Sequence, residues 1–368
     1  MTHHAPMNRA GTPKNLLALS VLAGVIIAGC SSSREAEPGV SHDPVVVDRA
    51  LSGSESEESG VRATPVVLSE QEWCFAGRDG VTIRTPHYRL YTTESDEVLR
   101  ERMPLFLEHA IAHYRTAVGD LPAPPAKLDT YLMDNRPQRE TLSKRLHGDQ
   151  SGDILQIQRG GYAARGVGGY FDIGLYDTLS IAAHEGWHQY TQRTFRDPLP
   201  IWLEEGLATF MEGHAWRSGR PVFRSWQNLE RFNALANASA SGNLYPLQTL
   251  VRLSPNELIT SDPEGLLRYY AQVWALTHFL AYGQGGMHAE ALARALDDAV
   301  EGELTDRLIA AIGRPETSRS LGSRLGDGVL RAYVGTAAAS LDEAYQAFIA
   351  RLTRTGARDA ISSGRSPI

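Results

Sequence analysis

The stretch "AAHEGWHQYTQ", residues 182–192, places two histidines four residues apart, with a glutamate directly after the first. In an α-helix, residues four apart lie one above the other on the same face. His184 and His188 can then present imidazole nitrogens to a single ion about 2 Å away. The spacing therefore predicts a helix here, with a metal site on one of its faces.

Glu185 lies beside that face without having to bind the ion. A carboxylate in that position can take a proton from a metal-activated water and pass it to a leaving group. Two histidines and a glutamate can also fall at this spacing by chance, so the motif alone is a hypothesis. Because catalytic zinc usually takes three protein ligands and one water, a third ligand is expected nearby.

A second helix is predicted after the proline-containing turn "DPLP", in the segment "IWLEEGLATFMEG". A helix–turn–helix arrangement would bring Glu204 or Glu205 back to the histidines. Both glutamates lie at the edges of an apolar stripe, so helical periodicity does not choose between them. The stripe consists of Leu203, Leu207, Phe210 and Met211.

"HEGWH" followed by "LPIWLEEGLATFMEG" resembles the gluzincin zinc metallopeptidases of the peptidase MA-like superfamily, which carry H-E-x-x-H and then W-L-x-E-G. "TPHYRLYTT" and "YYAQVWALTHFL" are similar to segments of bacterial members of that superfamily, and the likeness covers most of residues 80–285. The resemblance implies that His184, His188 and Glu205 bind Zn²⁺. It also implies that Glu185 is the general base, which activates a zinc-bound water for attack on a peptide bond.

The resemblance further implies that a tyrosine hydrogen-bonds the oxyanion that develops during this attack. Tyr270 is the matching residue, and Tyr269 is the near alternative. A donor aimed at developing negative charge can contribute a few kcal/mol of transition-state stabilisation. The resemblance thus adds Tyr270 to the predicted catalytic residues.

One position departs from the gluzincin pattern. Several gluzincins carry, four residues after the glutamate ligand, an aspartate that orients the first histidine, whereas this chain has Thr209 there. Groups that orient metal-binding histidines fix their tautomers, so another residue should serve. Asp177, Glu212 or a backbone carbonyl remain open for this role.

Gluzincin folds also place an edge strand just before the motif helix, where the substrate backbone pairs as an extra strand. "GVGGYFDI", residues 166–173, is expected to be that edge, since its glycines would let a peptide approach closely. The alternative is an ordinary hairpin.

The first thirty residues predict a lipoprotein signal peptide. Arg9 and Lys14 precede the apolar stretch "LLALSVLAGVIIA", and "IAGC" ends at Cys30, which resembles a lipobox whose cysteine is lipid-modified. About thirteen apolar or small residues are too few for a spanning helix, which needs roughly 20. The chain is therefore expected to be exported and held at the membrane of the cell envelope by lipid on Cys30. Residues 31–70, rich in Ser, Glu, Gly and Pro, predict a disordered tether.

The remaining chain predicts an α+β, zincin-like fold, in which a small mixed sheet lobe precedes a mainly helical lobe that carries the metal-site helices. The predicted peptidase domain covers residues 71–355, with an α/β lobe at 71–175, a helical lobe at 176–355 and a flexible tail at 356–368. Within the first lobe, "KLDTYLMD", "DILQIQ" and "GVGGYFDIG" predict strands, and "RPQRETLSKRLHG" predicts a helix. A further helix is predicted at 95–118, interrupted or kinked at Pro104.

Composition excludes several partners. Lys and Arg total 36 against 43 Asp and Glu, and no dense basic run could follow a phosphate backbone, so nucleic acid is not an expected partner. The glycine-rich stretch at 159–171 lacks G-x-x-x-x-G-K-[ST], so nucleotide binding is not expected either. Lipidation of Cys30 would leave only Cys74, which is expected to be a buried thiol.

The sequence as a whole predicts a lipid-anchored zinc metallopeptidase that cleaves peptide or protein substrates at the cell envelope. The rival hypothesis is a catalytically inactive, peptidase-like envelope lipoprotein that serves as a binding or scaffolding module. The intact Glu185 counts against the rival, because an inactive protein is free to lose its base.

Overall fold

The computed structural model describes residues 66–157 and 160–368. The predicted signal peptide at 1–30, including Cys30, and residues 31–65 of the predicted tether lie outside the described residues.

Six strands of the described chain form one sheet in the order β1–β2–β3–β4–β6–β5. Strands β3, β4 and β6 run parallel, whereas the β1–β2, β2–β3 and β5–β6 pairs are antiparallel. The strands are Ser69–Phe75 (β1), Arg78–Arg84 (β2), Tyr88–Thr92 (β3), Leu128–Met133 (β4), Tyr162–Ala164 (β5) and Val167–Phe171 (β6). A separate two-stranded hairpin consists of His214–Arg217 (β7) and Arg220–Phe223 (β8).

Three hairpins share one type of turn. The β1–β2, β5–β6 and β7–β8 turns each have two central residues with positive φ, the second of which is glycine: Ala76–Gly77, Arg165–Gly166 and Ser218–Gly219. Two consecutive positive φ values suit the right-handed twist of antiparallel strands. These X-Gly pairs therefore fix the register of each hairpin.

Helices make up most of the chain after β6. The helices are Glu97–Thr116 (α1), Arg136–His147 (α2), Gly152–Gln156 (α3), Leu175–Thr194 (α4), Ile201–Met211 (α5), Leu229–Ala240 (α6), Leu247–Leu250 (α7), Pro255–Ser261 (α8), Pro263–Tyr282 (α9), Ala289–Glu301 (α10), Leu304–Ile312 (α11), Arg314–Ser323 (α12), Ala338–Leu352 (α13) and Ala357–Ser362 (α14). None of those in the described ranges has the length and apolar character that crossing a membrane requires.

The two faces of the main sheet pack against different helices. Side chains alternate along a strand, so Leu90, Leu132 and Tyr170 join the main core with α1 and α4. Met133 and Phe171 lie on the other face, in a smaller cluster with Leu142 of α2 and Phe75 of β1. The sheet is thereby covered by helices on both faces, and α4 runs through the larger core.

Two glycines bring the central helices close together. A Cβ on Gly186 of α4 would lie 2.5 Å from the hydroxyl of Tyr114, which donates a hydrogen bond to the Ala183 carbonyl. A Cβ on Gly206 of α5 would lie 2.8 Å from the carbonyl oxygen of Val273 in α9. Any larger residue at either position would force α1 away from α4, or α9 away from α5.

The predicted α+β class is confirmed, with a six-stranded sheet lobe followed by a mainly helical region. Strands β4 and β6 and helices α1 and α2 form where the sequence predicts them. Helix α1 continues through Pro104, because the flanking Met103, Phe106 and Leu107 are fully buried and hold both turns on the core.

The strand predicted at "DILQIQ" is wrong, because residues 152–156 form helix α3. Ile154 and Ile157 are three residues apart and pack together against Tyr162. The buried guanidinium of Arg139 donates hydrogen bonds to the carbonyls of Ile154 (2.7 Å) and Ile157 (2.6 Å). A tertiary contact therefore stabilises a helical end that local alternation did not predict.

The edge strand predicted at "GVGGYFDI" is also wrong, and the hairpin alternative is confirmed. Strand β6 pairs with β4 on one side and with β5 on the other, so β5 forms this edge of the sheet. A Cβ on Gly169 would lie 2.5 Å from the ring of Tyr162, and one on Gly168 would lie 2.7 Å from the Tyr170 hydroxyl. The glycines accommodate tyrosine side chains of the protein itself.

Three smaller expectations are corrected as well. Strand β1 begins at Ser69, inside the predicted tether, and Cys74 on this strand is exposed rather than buried. The expected flexible tail instead contains α14, which buries Ile361. The carbonyl of Ser363 accepts a hydrogen bond from Arg224 (2.9 Å), so the end of the chain is tied to the helical region.

Candidate metal centre

His184 and His188 occupy consecutive turns of α4, a helix that is buried on nearly every side. Their side chains are 0% and 1% exposed, and their Nε2 atoms lie 3.2 Å apart. Glu205 reaches the same point from α5, because the Phe195–Pro200 turn reverses the chain. Its Oε2 lies 3.3 Å from Nε2 of His184 and 3.5 Å from Nε2 of His188.

These three distances match one face of a ligand tetrahedron. Donor atoms about 2.0–2.1 Å from an ion in tetrahedral coordination lie roughly 3.3–3.4 Å from one another. In the described part of the chain, His184, His188 and Glu205 are the one group of three such residues close enough to share an ion. The predicted ligand set is therefore brought together, and it could hold a metal ion.

The other ring nitrogen of each histidine contacts a carboxylate. Nδ1 of His184 lies 2.8 Å from Oε1 of Glu212, and Nδ1 of His188 lies 3.0 Å from Oε1 of Glu204. A carboxylate at Nδ1 favours the tautomer that keeps its proton there. Both Nε2 atoms then present lone pairs toward the Glu205 carboxylate, an arrangement that needs a cation between the three atoms.

The charges around the cluster also favour a bound cation. Four buried carboxylates lie in or around the cluster, those of Glu185, Glu204, Glu205 and Glu212. Two arginines oppose them in the described structure: Arg231 is 2.9 Å from Glu212, and Arg324 is 4.0 Å from Glu204. A cation bound among these groups would offset part of the cost of burying their negative charge.

The same buried charges also shift the pKa values of the two histidines and Glu205 when no metal is bound. Burial would lower the pKa of His188, but the charges of Glu205 and Glu204 raise it to about 10. The pKa of His184 is also raised, since hydrogen bonds to Glu205 and Glu212 outweigh burial. Burial would raise the pKa of Glu205, but the two histidines hold it far below its ordinary range. Protons therefore compete with a metal ion for the same atoms.

Two tyrosines of α9 face this cluster. Burial and the charges of Glu205 and Glu185 raise the pKa of Tyr270 well above its ordinary value, and burial and Glu205 do the same for Tyr269. Both phenols stay protonated, and neither hydroxyl has a hydrogen-bond partner among residues 66–157 and 160–368. The Tyr270 ring lies 6.2 Å from that of His184, edge to face. The charge of Glu185 contributes to the raised pKa of Tyr270.

Comparison with known proteins finds a family that matches the part of the chain with the metal cluster, but this family has no described activity. Residues 178–301, about a third of the chain, match a family described as "Protein of unknown function (DUF1570)". The matched region includes His184, His188, Glu205, Glu185 and Tyr270, together with Glu204, Glu212 and Arg231. No curated protein matches the sequence.

The site differs from the sequence-based expectation in its supporting residues. Glu212, one of the three candidates left open for orienting His184, contacts its Nδ1 at 2.8 Å. Thr209 donates a hydrogen bond to the Glu205 carbonyl on its own helix. Glu204, a candidate ligand by sequence, instead lies on the Nδ1 side of His188, because adjacent residues of a helix point about 100° apart.

Arg231 is a further residue that the sequence did not single out. It occupies the apolar stripe of α6 with Phe232, Leu235 and Ala238, a charged residue in a row of buried positions. That mismatch is the signal that could have identified it, since buried charges are paired.

We expect the pH dependence of metal binding to reflect the raised pKa of His188. A proton on His188 must leave when a metal binds, so apparent affinity for Zn²⁺ should rise about tenfold per pH unit for each proton released. The rise should continue above pH 7, where a histidine of ordinary pKa is already neutral. Competition with a chelating dye between pH 6 and 9 measures this.

The matched control for this measurement is E204Q, which removes one of the charges that raise the pKa of His188. The variant should flatten the profile above pH 7. A wild-type affinity that levels off near pH 7 would contradict the proposed competition between protons and metal.

Proposed function

We propose that this protein is a zinc-dependent metallopeptidase that hydrolyses peptide bonds. The observation that carries the proposal is the convergence of His184, His188 and Glu205 at mutual distances of 3.2–3.5 Å. Glu185 directly follows His184 on α4. The Tyr270 hydroxyl, on α9, also supports the proposal. The resemblance to gluzincins supplies the reaction class.

Zn²⁺ is the ion that this donor set suits best. Two imidazole nitrogens and one carboxylate oxygen are typical of catalytic zinc sites, which keep a fourth position for water or substrate. When bound by His184, His188 and Glu205, the ion would acidify a water molecule and polarise the substrate carbonyl. Glu212 and Glu204 hold the histidines in the tautomer that this binding needs.

Glu185 is proposed as the general base and acid. Its side chain is fully buried on α4 between the two histidines in sequence. The carboxylate accepts the proton of the attacking water and returns it to the nitrogen of the leaving amine. A carboxylate that shuttles one proton in this way needs no serine or cysteine nucleophile.

Tyr270 is proposed as the donor to the oxyanion. Because its phenol is protonated and unpartnered within the described residues, it can donate to the carbonyl oxygen of the substrate as negative charge develops. Its contact with the His184 ring holds the phenol beside the metal site. Tyr269 remains the near alternative, with its hydroxyl likewise unpartnered in the described chain.

Substitution of the base tests the proposal. E185Q should reduce kcat/KM on a peptide library by about 10²–10⁴-fold, the usual contribution of general acid–base catalysis. Zinc content should stay near one per chain, because Glu185 is not a ligand. The matched variant E205Q should lose both zinc and activity, and a chelator should abolish peptide hydrolysis by the wild type.

Unchanged hydrolysis by E185Q would refute the assigned mechanism. Stoichiometric zinc without hydrolysis of any library peptide by the wild type would favour the alternative function, a binding or scaffolding module.

We further propose that the chain is exported and lipid-anchored through Cys30. The support is the sequence of residues 1–30, with its positive start, short apolar stretch and "IAGC" ending. C30A should abolish incorporation of a labelled fatty acid and move the protein from the membrane fraction to the soluble fraction. Labelling that persists in C30A would exclude this anchor.

A further inference from the structure

Helix α6 carries a buried arginine against the metal centre. Asn228 caps the helix by accepting a hydrogen bond from the Arg231 backbone N–H at 3.2 Å. The Arg231 side chain is only 7% exposed. A guanidinium so deeply buried must be matched closely by partners.

Its main partner is the carboxylate that orients His184. Arg231 donates from its Nη2 to Oε1 of Glu212 at 2.9 Å and from Nε to Oε2 at 3.1 Å. Asn228 adds a hydrogen bond to Oε2 at 2.6 Å, and Nδ1 of His184 contacts Oε1 at 2.8 Å. Both oxygens of Glu212 are therefore fixed from several directions, and the carboxylate cannot rotate away from the histidine.

The same guanidinium also contacts the tyrosine proposed as oxyanion donor. Its central carbon lies 5.3 Å from the centroid of the Tyr270 ring. That ring is in turn edge to face with His184 at 6.2 Å. Arg231 thus touches two groups that both contact His184: Glu212 through a hydrogen-bonded fork, and Tyr270 through its flat face.

The second histidine has a looser arrangement. Glu204, beside His188, accepts a hydrogen bond from the Thr191 hydroxyl at 2.7 Å, but its nearest described arginine, Arg324, is 4.0 Å away. The bidentate clamp belongs to the His184 side alone among the described residues. This asymmetry singles out Arg231.

We propose that Arg231 is a positioning residue that orients His184 through Glu212 and Tyr270 through contact with its ring. The inference rests on the metal site of the proposed function, but not on its peptidase activity. Only a planar fork with a flat cationic face can make both contacts at once; the compact ammonium of lysine can make one of them.

The experiment compares R231A and R231K with wild type, and with R89A as the matched control. Arg89 also forms a bidentate pair, with Asp129 at 2.5 and 2.6 Å, but it contacts no residue of the metal centre in the described structure. The readouts are Zn²⁺ affinity by chelator competition and the visible spectrum of the Co²⁺-loaded protein, which reports ligand geometry.

R231A should weaken Zn²⁺ binding about 10–100-fold, the usual effect of removing a group that supports a metal ligand, and should shift the Co²⁺ bands. R231K should recover part of the affinity. Guanidinium added at low millimolar concentration, far below denaturing levels, should restore R231A toward wild type. R89A should stay within about threefold of wild type, because its pair is partly exposed to solvent and Arg89 contacts none of the three ligands or their carboxylate partners in the described structure.

The contact with the Tyr270 ring has its own test. Arg231 and Tyr270 should be coupled, so that the shift in unfolding midpoint of the R231A/Y270L double variant is smaller than the sum of the single shifts. Additive shifts would overturn the ring contact as a positioning interaction.

A folded R231A with wild-type Zn²⁺ affinity and Co²⁺ spectrum would overturn the inference, as would an equal loss in R89A. If R231A does not fold, R231K decides: an unchanged affinity and spectrum overturns the proposal, and a shifted spectrum supports it. Peptide hydrolysis is not among these readouts, so a protein that binds zinc but cleaves nothing refutes the peptidase proposal and leaves this one standing. A wild type that binds no zinc overturns both.

Discussion

Three electron-rich atoms on buried side chains, held within 3.5 Å of one another, are the constraint from which the rest of the centre follows. Two imidazole nitrogens and a carboxylate oxygen would repel one another without a cation among them. The fold must therefore hold them in place by strong external contacts, and Glu212, Glu204 and Arg231 supply these contacts.

The backbone makes this convergence possible at two positions without side chains. Gly186 lets Tyr114 approach the back of α4, and Gly206 lets α9 lie against α5. The first contact fixes the histidine helix against α1 and the sheet, and the second brings Tyr270 to the ligand from α5. The glycines in "HEGWH" and "EEG" thus serve packing, while their neighbours form the candidate metal site.

Much of the centre could be predicted from sequence because it depends on local geometry. The four-residue spacing of His184 and His188 needs only a helix, and the short turn before α5 needs only two helices to return Glu204 or Glu205. The choice of Glu205 comes from the resemblance to gluzincins and not from geometry. The supporting residues depend on tertiary packing: Arg231 arrives from α6, and no spacing rule connects it with Glu212 nineteen residues earlier. The same reason explains the misassigned "DILQIQ", whose helical end is held by Arg139.

The most direct test of the central claim is X-ray diffraction at the zinc absorption edge from crystals grown with Zn²⁺. We predict one anomalous peak about 2.0–2.1 Å from Nε2 of both His184 and His188 and about 2.0–2.2 Å from a carboxylate oxygen of Glu205. A peak at another location, or none within bonding distance of these three atoms, would contradict the account.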